Sequence, residues 1–247
     1  MKAIILAGGY AKRMYPITKE FPKPLLEVKG KKIINYILDS LEKVSEIDEV
    51  YLSTNKKFAS YFQFFINTIS FNKKISLLVE NSNSNDNKLG AVKALNKIIN
   101  QKKITEDLLI IGGDNLFKPE LENFMKFFKE KDSVTLMVYN LNNENAKNFG
   151  VVGLDEQNKI INFEEKPSLP KSSLISTACY LFKKDHLSLI DNYIKETNSN
   201  DNLGDLISWL SKNGSVYAYV HQNFWFDVGN LETLKNIESL NIIDNQI

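Results

Sequence analysis

The residues whose types and spacing could do chemistry crowd into one stretch, Ala3 to Val28, AIILAGGYAKRMYPITKEFPKPLLEV. Ala3 to Leu6 is a short apolar run of the kind that forms a buried strand. Ala7, Gly8 and Gly9 follow at once, small enough to let a ligand approach the backbone. Lys12 and Arg13 come next, and Lys23 stands between two prolines. A strand that feeds a glycine loop with cations at its rim is a phosphate cradle. Its N–H groups point outward and long donors close over the anion. A tight strand-to-helix turn with solvated lysines is the competing reading of the same residues.

Composition narrows the choice. Lysine and arginine total 31, and Arg13 is the only arginine. The chain uses lysine wherever else it wants a cation, so the planar fork of the guanidinium appears only in the loop that would meet a polyphosphate. Net charge is +1, with 43% hydrophobic and 25% charged residues, the balance of an ordinary globule. That charge creates no broad field for nucleic acid or anionic membrane, so neither is expected as a partner. Cys179 is the only cysteine, which excludes an intrachain disulfide and a cysteine-cluster zinc site. No leader pattern precedes the first strand, and no apolar run approaches the ~20 residues of a membrane span. A cytoplasmic location is expected.

The elements that must position these residues read as follows. Lys31 to Val44 has helical periodicity, Glu49 to Ser53 is a strand, Lys57 to Ile66 a helix and Ile75 to Val79 a strand. Phe58, Tyr61, Phe62, Phe64 and Phe65 read as packing residues rather than as a stacking surface for bases. The Asn/Ser runs Asn81 to Asn87 and Asn198 to Asn202 read as exposed loops. Lys88 to Asn100 is a helix, Leu108 to Ile111 a strand buried on both faces, and Gly112-Gly-Asp-Asn115 a turn after it. Pro119 suits the first turn of the next helix, and Val134 to Val138 is another strand. This alternation predicts an α/β fold, a doubly wound, mostly parallel, Rossmann-like sheet binding its ligand beyond the carboxyl ends of the strands. From Phe149 the rhythm shifts to short strands, predicting a small mixed-sheet lid. Residues 1–145 would form the nucleotide-binding core of a single domain, and 146–247 the lid and a C-terminal helix that buries Leu234, Ile237 and Leu240.

The opening stretch resembles the signature of the sugar-1-phosphate nucleotidyltransferases, LAGG-x-G-x-R-(L/M)-x-P-(L/I)-T followed by P-K-P-L-L. Four later segments follow in the family's order: Leu89-Gly-Ala-Val-Lys-Ala-Leu95, Gly112-Gly-Asp-Asn115, Phe163-Glu-Glu-Lys-Pro167 and Trp225-Phe-Asp-Val-Gly229. F-x-E-K-P and W-x-D-x-G are weak singly; their joint order is specific. The resemblance implies transfer of a nucleotidyl group from a nucleoside triphosphate to a sugar 1-phosphate, with release of pyrophosphate. It implies catalytic roles for Arg13 and Lys23, and nucleotide contacts from Leu6, Ala7, Gly8, Gly9, Lys12, Glu80 and Gly90. It implies sugar-phosphate contacts from Asn115, Gly150, Glu165, Lys166 and Thr177, and Mg²⁺ held by Asp114 and Asp227. A hard cation that takes few carboxylates suits such a pair. Asp114 also fits a helix cap, and Lys166 a solvated turn.

Two departures from the pattern matter. Ala11 stands at a family glycine, and so does Ala178 in Ser176-Thr-Ala-Cys-Tyr180. If the first site needs a positive φ, alanine strains it; if it needs only a small side chain, alanine suffices. Glucose 1-phosphate with dTTP or UTP is the first substrate expectation, although Pro24 replaces the glutamine common in thymidylyltransferases. A nicotinamide oxidoreductase would want G-x-G-x-x-G and an acid after the second strand, and neither is present. A phosphocholine cytidylyltransferase and a non-catalytic sugar-nucleotide-binding protein are the remaining alternatives. The chain reaches Ile247 without a hexapeptide-repeat segment, and a homo-oligomer is left open.

Arg13→Lys is expected to leave thermal stability nearly unchanged, because an exposed loop charge contributes little to folding. It should cut kcat/KM about ten- to a thousandfold, since a pair of charge-assisted bonds becomes a point charge. Steady-state kinetics beside a melting curve checks both halves.

Overall fold

A computed structural model of the protein describes residues 1–82, 89–141, 144–197 and 202–239. In chain order the elements are β1 (Lys2–Leu6), α1 (Ile17–Glu20), β2 (Glu27–Val28), β3 (Lys31–Lys32), α2 (Ile33–Lys43), β4 (Glu49–Asn55), α3 (Ala59–Thr68) and β5 (Lys74–Glu80). Then come α4 (Ala91–Lys102), β6 (Leu108–Gly112), β7 (Asn115–Phe117), α5 (Leu121–Lys131), β8 (Val134–Asn140), β9 (Gly150–Leu154) and β10 (Ile160–Glu165). The chain closes with β11 (Leu174–Phe182), α6 (Ser188–Thr197), α7 (Leu203–Asn213), β12 (Val216–His221), β13 (Trp225–Asp227) and α8 (Leu231–Ser239). The class is α/β, as the alternation predicted. No helix among the described residues is long and apolar enough to cross a membrane.

The chain forms two compact units that interleave in sequence. The first draws on Met1–Lys88, Ile111–Leu121 and Asn223–Ile247, and the second on Leu89–Ile110 and Glu122–Gln222. In the first unit β1, β4 and β5 run parallel, with Ala3 opposite Val50 and Val50 opposite Ile75. Ile4 and Ile5 are fully buried, which is why β1 reads as a continuous apolar run. Helix α2 buries Ile33, Ile34, Ile37, Leu38 and Leu41. Its Tyr36 hydroxyl donates to the Val28 carbonyl at 2.9 Å. Helix α3 buries Phe62 and Phe65, with Phe58 buried just before it. Phe64 is 71% exposed, so the aromatic run is not wholly packing.

Two small sheets escaped the sequence reading. Strands β2 and β3 form a hairpin around Lys29 and Gly30, both at positive φ (54° and 74°), as a two-residue turn that matches strand twist requires. Lysine is a poor signal for that conformation. Strand β7 pairs antiparallel with β13, setting Asn115 opposite Asp227 and Leu116 opposite Phe226. An apolar cluster of Met14, Val28, Ile33, Tyr36, Leu116, Val228 and Ile237 binds these pieces together, with Leu26, Phe224, Phe226, Leu231 and Leu234 packed on it.

In the second unit the strands form a mixed sheet. β9 lies antiparallel to β10 and β11, β11 antiparallel to β8, and β8 parallel to β12. Val134 to Val138, expected as a further strand of a mostly parallel sheet, is a strand with a parallel neighbour, β12, on one side and an antiparallel one, β11, on the other. Its apolar run reports burial on both faces and carries no information on direction. Helices α4, α6 and α7 pack on one another, and α7 lies on β10. Asp185 lies in a short 3-10 turn, Lys184–His186, that precedes α6. Residues 83–88, 198–201 and 240, on which most of both Asn/Ser loops and the inward Leu240 were read, lie outside the described residues. Asn202 caps α7 by accepting from the Gly204 N–H at 2.9 Å.

Ile237 is 1% exposed and sits in the cluster that joins α8 to the first unit. Ile237→Ala should cost about 2–5 kcal/mol. Phe64→Ala, on an exposed helix face, should stay within about 0.5 kcal/mol. Urea unfolding of the two variants against wild type measures the contrast.

Candidate active site

The glycine loop leaves β1 at a half-buried Leu6. Ala7 is buried, and its N–H donates to the Ser53 carbonyl at 2.8 Å. Gly9 is exposed; a Cβ built there meets no atom within 4 Å, and its φ is ordinary. At Gly8 a Cβ would make only ordinary contacts, at 3.8–3.9 Å. Neither turn geometry nor packing within the chain therefore asks for this glycine pair. Among the described residues the N–H groups of Gly8 and Gly9 have no acceptor. Lys12 and Arg13 are exposed in a 3-10 turn, Lys12–Met14, anchored by the buried Met14. Arg13 meets no partner among the described residues. Glu80 ends β5 in register with Asn55.

Ala11 resolves the question raised by the sequence. Its φ and ψ are 44° and 46°, the left-handed region. A residue with a Cβ pays about 1–2 kcal/mol there. Ala178 does the same at φ 58°, inside a register shift of β11 against β8. Both alanines that replace family glycines thus adopt a positive φ, the conformation that glycine takes without strain.

Lys23 is the polar centre of the first unit. It is 4% exposed, and its Nζ lies 3.4 Å from Asp114 Oδ2 and 3.6 Å from Asp227 Oδ1. A buried ammonium is tolerable only when paired, and here two carboxylates from distant segments pair with it. The glycines of both motifs have steric reasons. A Cβ on Gly229 would lie 2.6 Å from Asp227 Oδ2, so the carboxylate occupies the room that glycine leaves. A Cβ on Gly113 would lie 2.9 Å from Ile5 Cγ2, and the Gly113 N–H donates to the Leu6 carbonyl at 2.9 Å. That bond ties Asp114 to the end of β1. Asp114 is followed by a strand and not a helix, so it is no helix cap. Asn115 is nearly buried on that strand.

The second unit holds the other predicted residues. Gly90 precedes α4 at φ 88° and ψ 151°, which only glycine adopts easily. Glu165 ends β10, and its carboxylate lies 3.6 Å from Lys166 Nζ. A Cβ on Gly150 would come within 3.0 Å of the Glu165 Oε2, and one on Gly204 within 2.1 Å, so two glycines clear space for one carboxylate. Lys166 is exposed at the tip and holds φ 47°, a sparsely populated conformation for lysine. Thr177 is fully buried and its hydroxyl donates to the Met137 carbonyl at 2.9 Å, anchoring the bulge that contains Ala178. Cys179 is buried too, and burial pushes its thiol pKa up, which keeps it an inert thiol.

The chain is similar to known proteins over most of its length. A family model described as nucleotidyl transferase matches residues 2–241. The chain belongs to the nucleotidyl transferase family. Among curated relatives, the bifunctional protein GlmU of Methanocaldococcus jannaschii is 32% identical over 231 residues, covering 93% of this chain and 51% of that protein. The glucose-1-phosphate adenylyltransferase of Clostridioides difficile is 31% identical, covering 99% of this chain and 69% of that protein. The chain spans about half the length of the GlmU proteins it matches. A crystal structure described as a glucose-1-phosphate thymidylyltransferase from Bacillus anthracis, in complex with sucrose, matches with a TM-score of 0.81 at 26% identity. That match covers 98% of this chain and 97% of the other.

The sequence reading assigned no role to the buried polar residues behind the loop. Thr18, Thr54 and Asn55 are at most 1% exposed. Each donates a hydrogen bond to a loop carbonyl: Thr18 to Ala11 at 2.8 Å, Thr54 to Ala7 at 3.3 Å and Asn55 to Gly8 at 3.0 Å. The only available signal was the threonine of the P-(L/I)-T segment. Gly9→Ala should leave stability within about 0.5 kcal/mol, since the added methyl meets open space. It should nevertheless weaken binding of a nucleoside triphosphate about tenfold, by calorimetry, because the methyl keeps the anion from the backbone.

Proposed function

We propose that this protein transfers a nucleotidyl group from a nucleoside triphosphate to a sugar 1-phosphate. A phosphate oxygen of the sugar 1-phosphate bonds to the α-phosphorus, the bond from that phosphorus to the bridging oxygen breaks, and pyrophosphate leaves. The observation that carries this reading is the buried Lys23 ammonium facing both Asp114 and Asp227. The family membership and the names of its relatives support it.

Such a reaction asks little covalent work of a protein; positioning and neutralising charge dominate. The free N–H groups of Gly8 and Gly9 would receive phosphate oxygens of the triphosphate. Lys23 would stabilise charge at the α-phosphate, and Arg13, exposed and unpaired among the described residues, would follow charge onto pyrophosphate. To Lys166 we assign the phosphate of the acceptor, and to Glu165 the sugar hydroxyls. A lysine kept at positive φ accords with a held functional group.

Asp114 and Asp227 suit Mg²⁺. They form a pair rather than a cage, and no cluster of three or more His, Cys, Asp or Glu able to hold a metal occurs among the described residues. Mg²⁺ takes one or two carboxylates and fills its octahedron with phosphate oxygens and water. When bound it would neutralise charge on the triphosphate. Glucose 1-phosphate with dTTP or UTP is our first substrate pair. The thymidylyltransferase description of the structural neighbour favours dTTP, while the adenylyltransferase relative puts ATP in the same screen.

The test is pyrophosphate release across the nucleoside triphosphates and several sugar 1-phosphates, with choline phosphate as a further acceptor. Release with choline phosphate and CTP alone would replace this reading with a cytidylyltransferase. Asp114→Asn and Asp227→Asn should each lower kcat about a hundredfold or more and raise the Mg²⁺ needed for half activity. Wild-type rates for both variants at limiting Mg²⁺ would defeat the metal assignment.

A further inference from the structure

The loop backbone is held from behind by side chains that take no part in the chemistry described above. A trans peptide points its C=O and N–H in opposite directions. The carbonyls of Ala7, Gly8 and Ala11 are taken by Thr54, Asn55 and Thr18. The N–H groups of the same three peptides, on Gly8, Gly9 and Lys12, therefore face away from these buried side chains. Asn55 is itself fixed, because its Oδ1 accepts from the Phe58 N–H at 3.0 Å. Its amide therefore cannot turn to meet Gly8 in another way. Thr54 and Asn55 end β4, and Thr18 belongs to α1.

Thr18 has the heavier task. The peptide it holds follows Ala11, the residue in the left-handed conformation. Glycine would rest there without cost, whereas alanine leaves it unless something holds the carbonyl in place. The Ala11 carbonyl accepts from the Thr18 hydroxyl at 2.8 Å and from the Met14 N–H at 2.9 Å. The second bond belongs to the turn itself, so Thr18 is the contact from outside it. Lys12 and Arg13 follow directly, so the orientation of their peptides depends on the same clamp.

We propose that Thr18 is a positioning residue for the triphosphate, holding Ala11 in the left-handed turn that a glycine would adopt unaided. The proposal rests on the reading of the loop as a phosphate site. It makes the need for Thr18 conditional on the residue at position 11, which a packing role for Thr18 would not.

The experiment is calorimetric binding of inorganic tripolyphosphate with Mg²⁺ to the full chain, which needs no turnover and no knowledge of the base or sugar. Thr18→Val should weaken binding about tenfold, the scale of one lost hydrogen bond plus the released turn. Thr18→Ser, which keeps the hydroxyl, should bind within about threefold of wild type. Ala11→Gly combined with Thr18→Val should recover most of the loss. In turnover, Thr18→Val should raise the KM for the triphosphate and leave the KM for the sugar phosphate within about twofold, by the logic of uniform binding. If Thr18→Val does not fold, the double variant is compared with Ala11→Gly alone, and equal affinity supports the proposal. The proposal is overturned if Thr18→Val lowers the melting temperature without changing affinity. It is equally overturned if glycine at position 11 recovers nothing. Wild type that binds tripolyphosphate yet releases no pyrophosphate with any pair would sink the transferase reading and leave this one standing. Wild type that binds no tripolyphosphate sinks both.

Discussion

The first unit depends on burying one apolar cluster drawn from four places in the chain. Met14 lies next to Arg13, Val28 closes the segment that follows Lys23, Leu116 is two residues after Asp114, and Val228 is next to Asp227. Arg13, Lys23, Asp114 and Asp227 are thus each carried by a segment with a side chain that must leave water. Burial of a large aliphatic side chain is worth roughly 1.5–3 kcal/mol. Holding a lysine ammonium between two carboxylates is no comparable source of stability once desolvation is counted. The cluster therefore places the charges, and the charges do not place the cluster. That order explains how a 4%-exposed lysine and two aspartates are tolerated together.

Much of this was legible in the sequence, for identifiable reasons. Apolar runs such as Leu108 to Ile111 and the helical stripe of α2 report burial directly, and the structure buries them. The glycine loop was legible because Gly-Gly beside cations has few structural uses. The convergence of Asp114 and Asp227 was readable only through the family resemblance. No local pattern links segments so far apart, and the strand pairing that joins them, β7 with β13, is three residues long and hidden in what reads as a turn. Direction in the second unit was equally hidden, because a strand buried on both faces looks the same whether its neighbour runs parallel or antiparallel.

The glycines illustrate why type alone under-determines role. Gly30 and Gly90 answer a demand for positive φ, whereas Gly113, Gly204 and Gly229 answer a demand for space beside a particular atom. Gly9 answers neither within the chain. At positions 11 and 178 the demand for positive φ persists where glycine is missing. A sequence shows all of these as presence or absence of one letter. The backbone angle and the nearest atom separate them, and at position 11 they direct attention to a buried threonine whose contact the sequence does not show.

The first unit is discontinuous, and this bears on how the protein is made. A ribosome delivers residues 1–82 first, then Ile111–Leu121, and Asn223 onward last, after the whole of the second unit. Until that final stretch emerges, Lys23 and Asp114 have no Asp227, and Met14 and Leu116 have no Val228 or Ile237 to cover them. Long-range closure of this kind is slow compared with local helix formation. The nascent chain must therefore carry an uncovered apolar face while strands β8 to β12 of the second unit, consecutive in sequence, are already free to pair. Aggregation during synthesis, and the shielding of that face by chaperones, would be concentrated in the interval between residues 121 and 223.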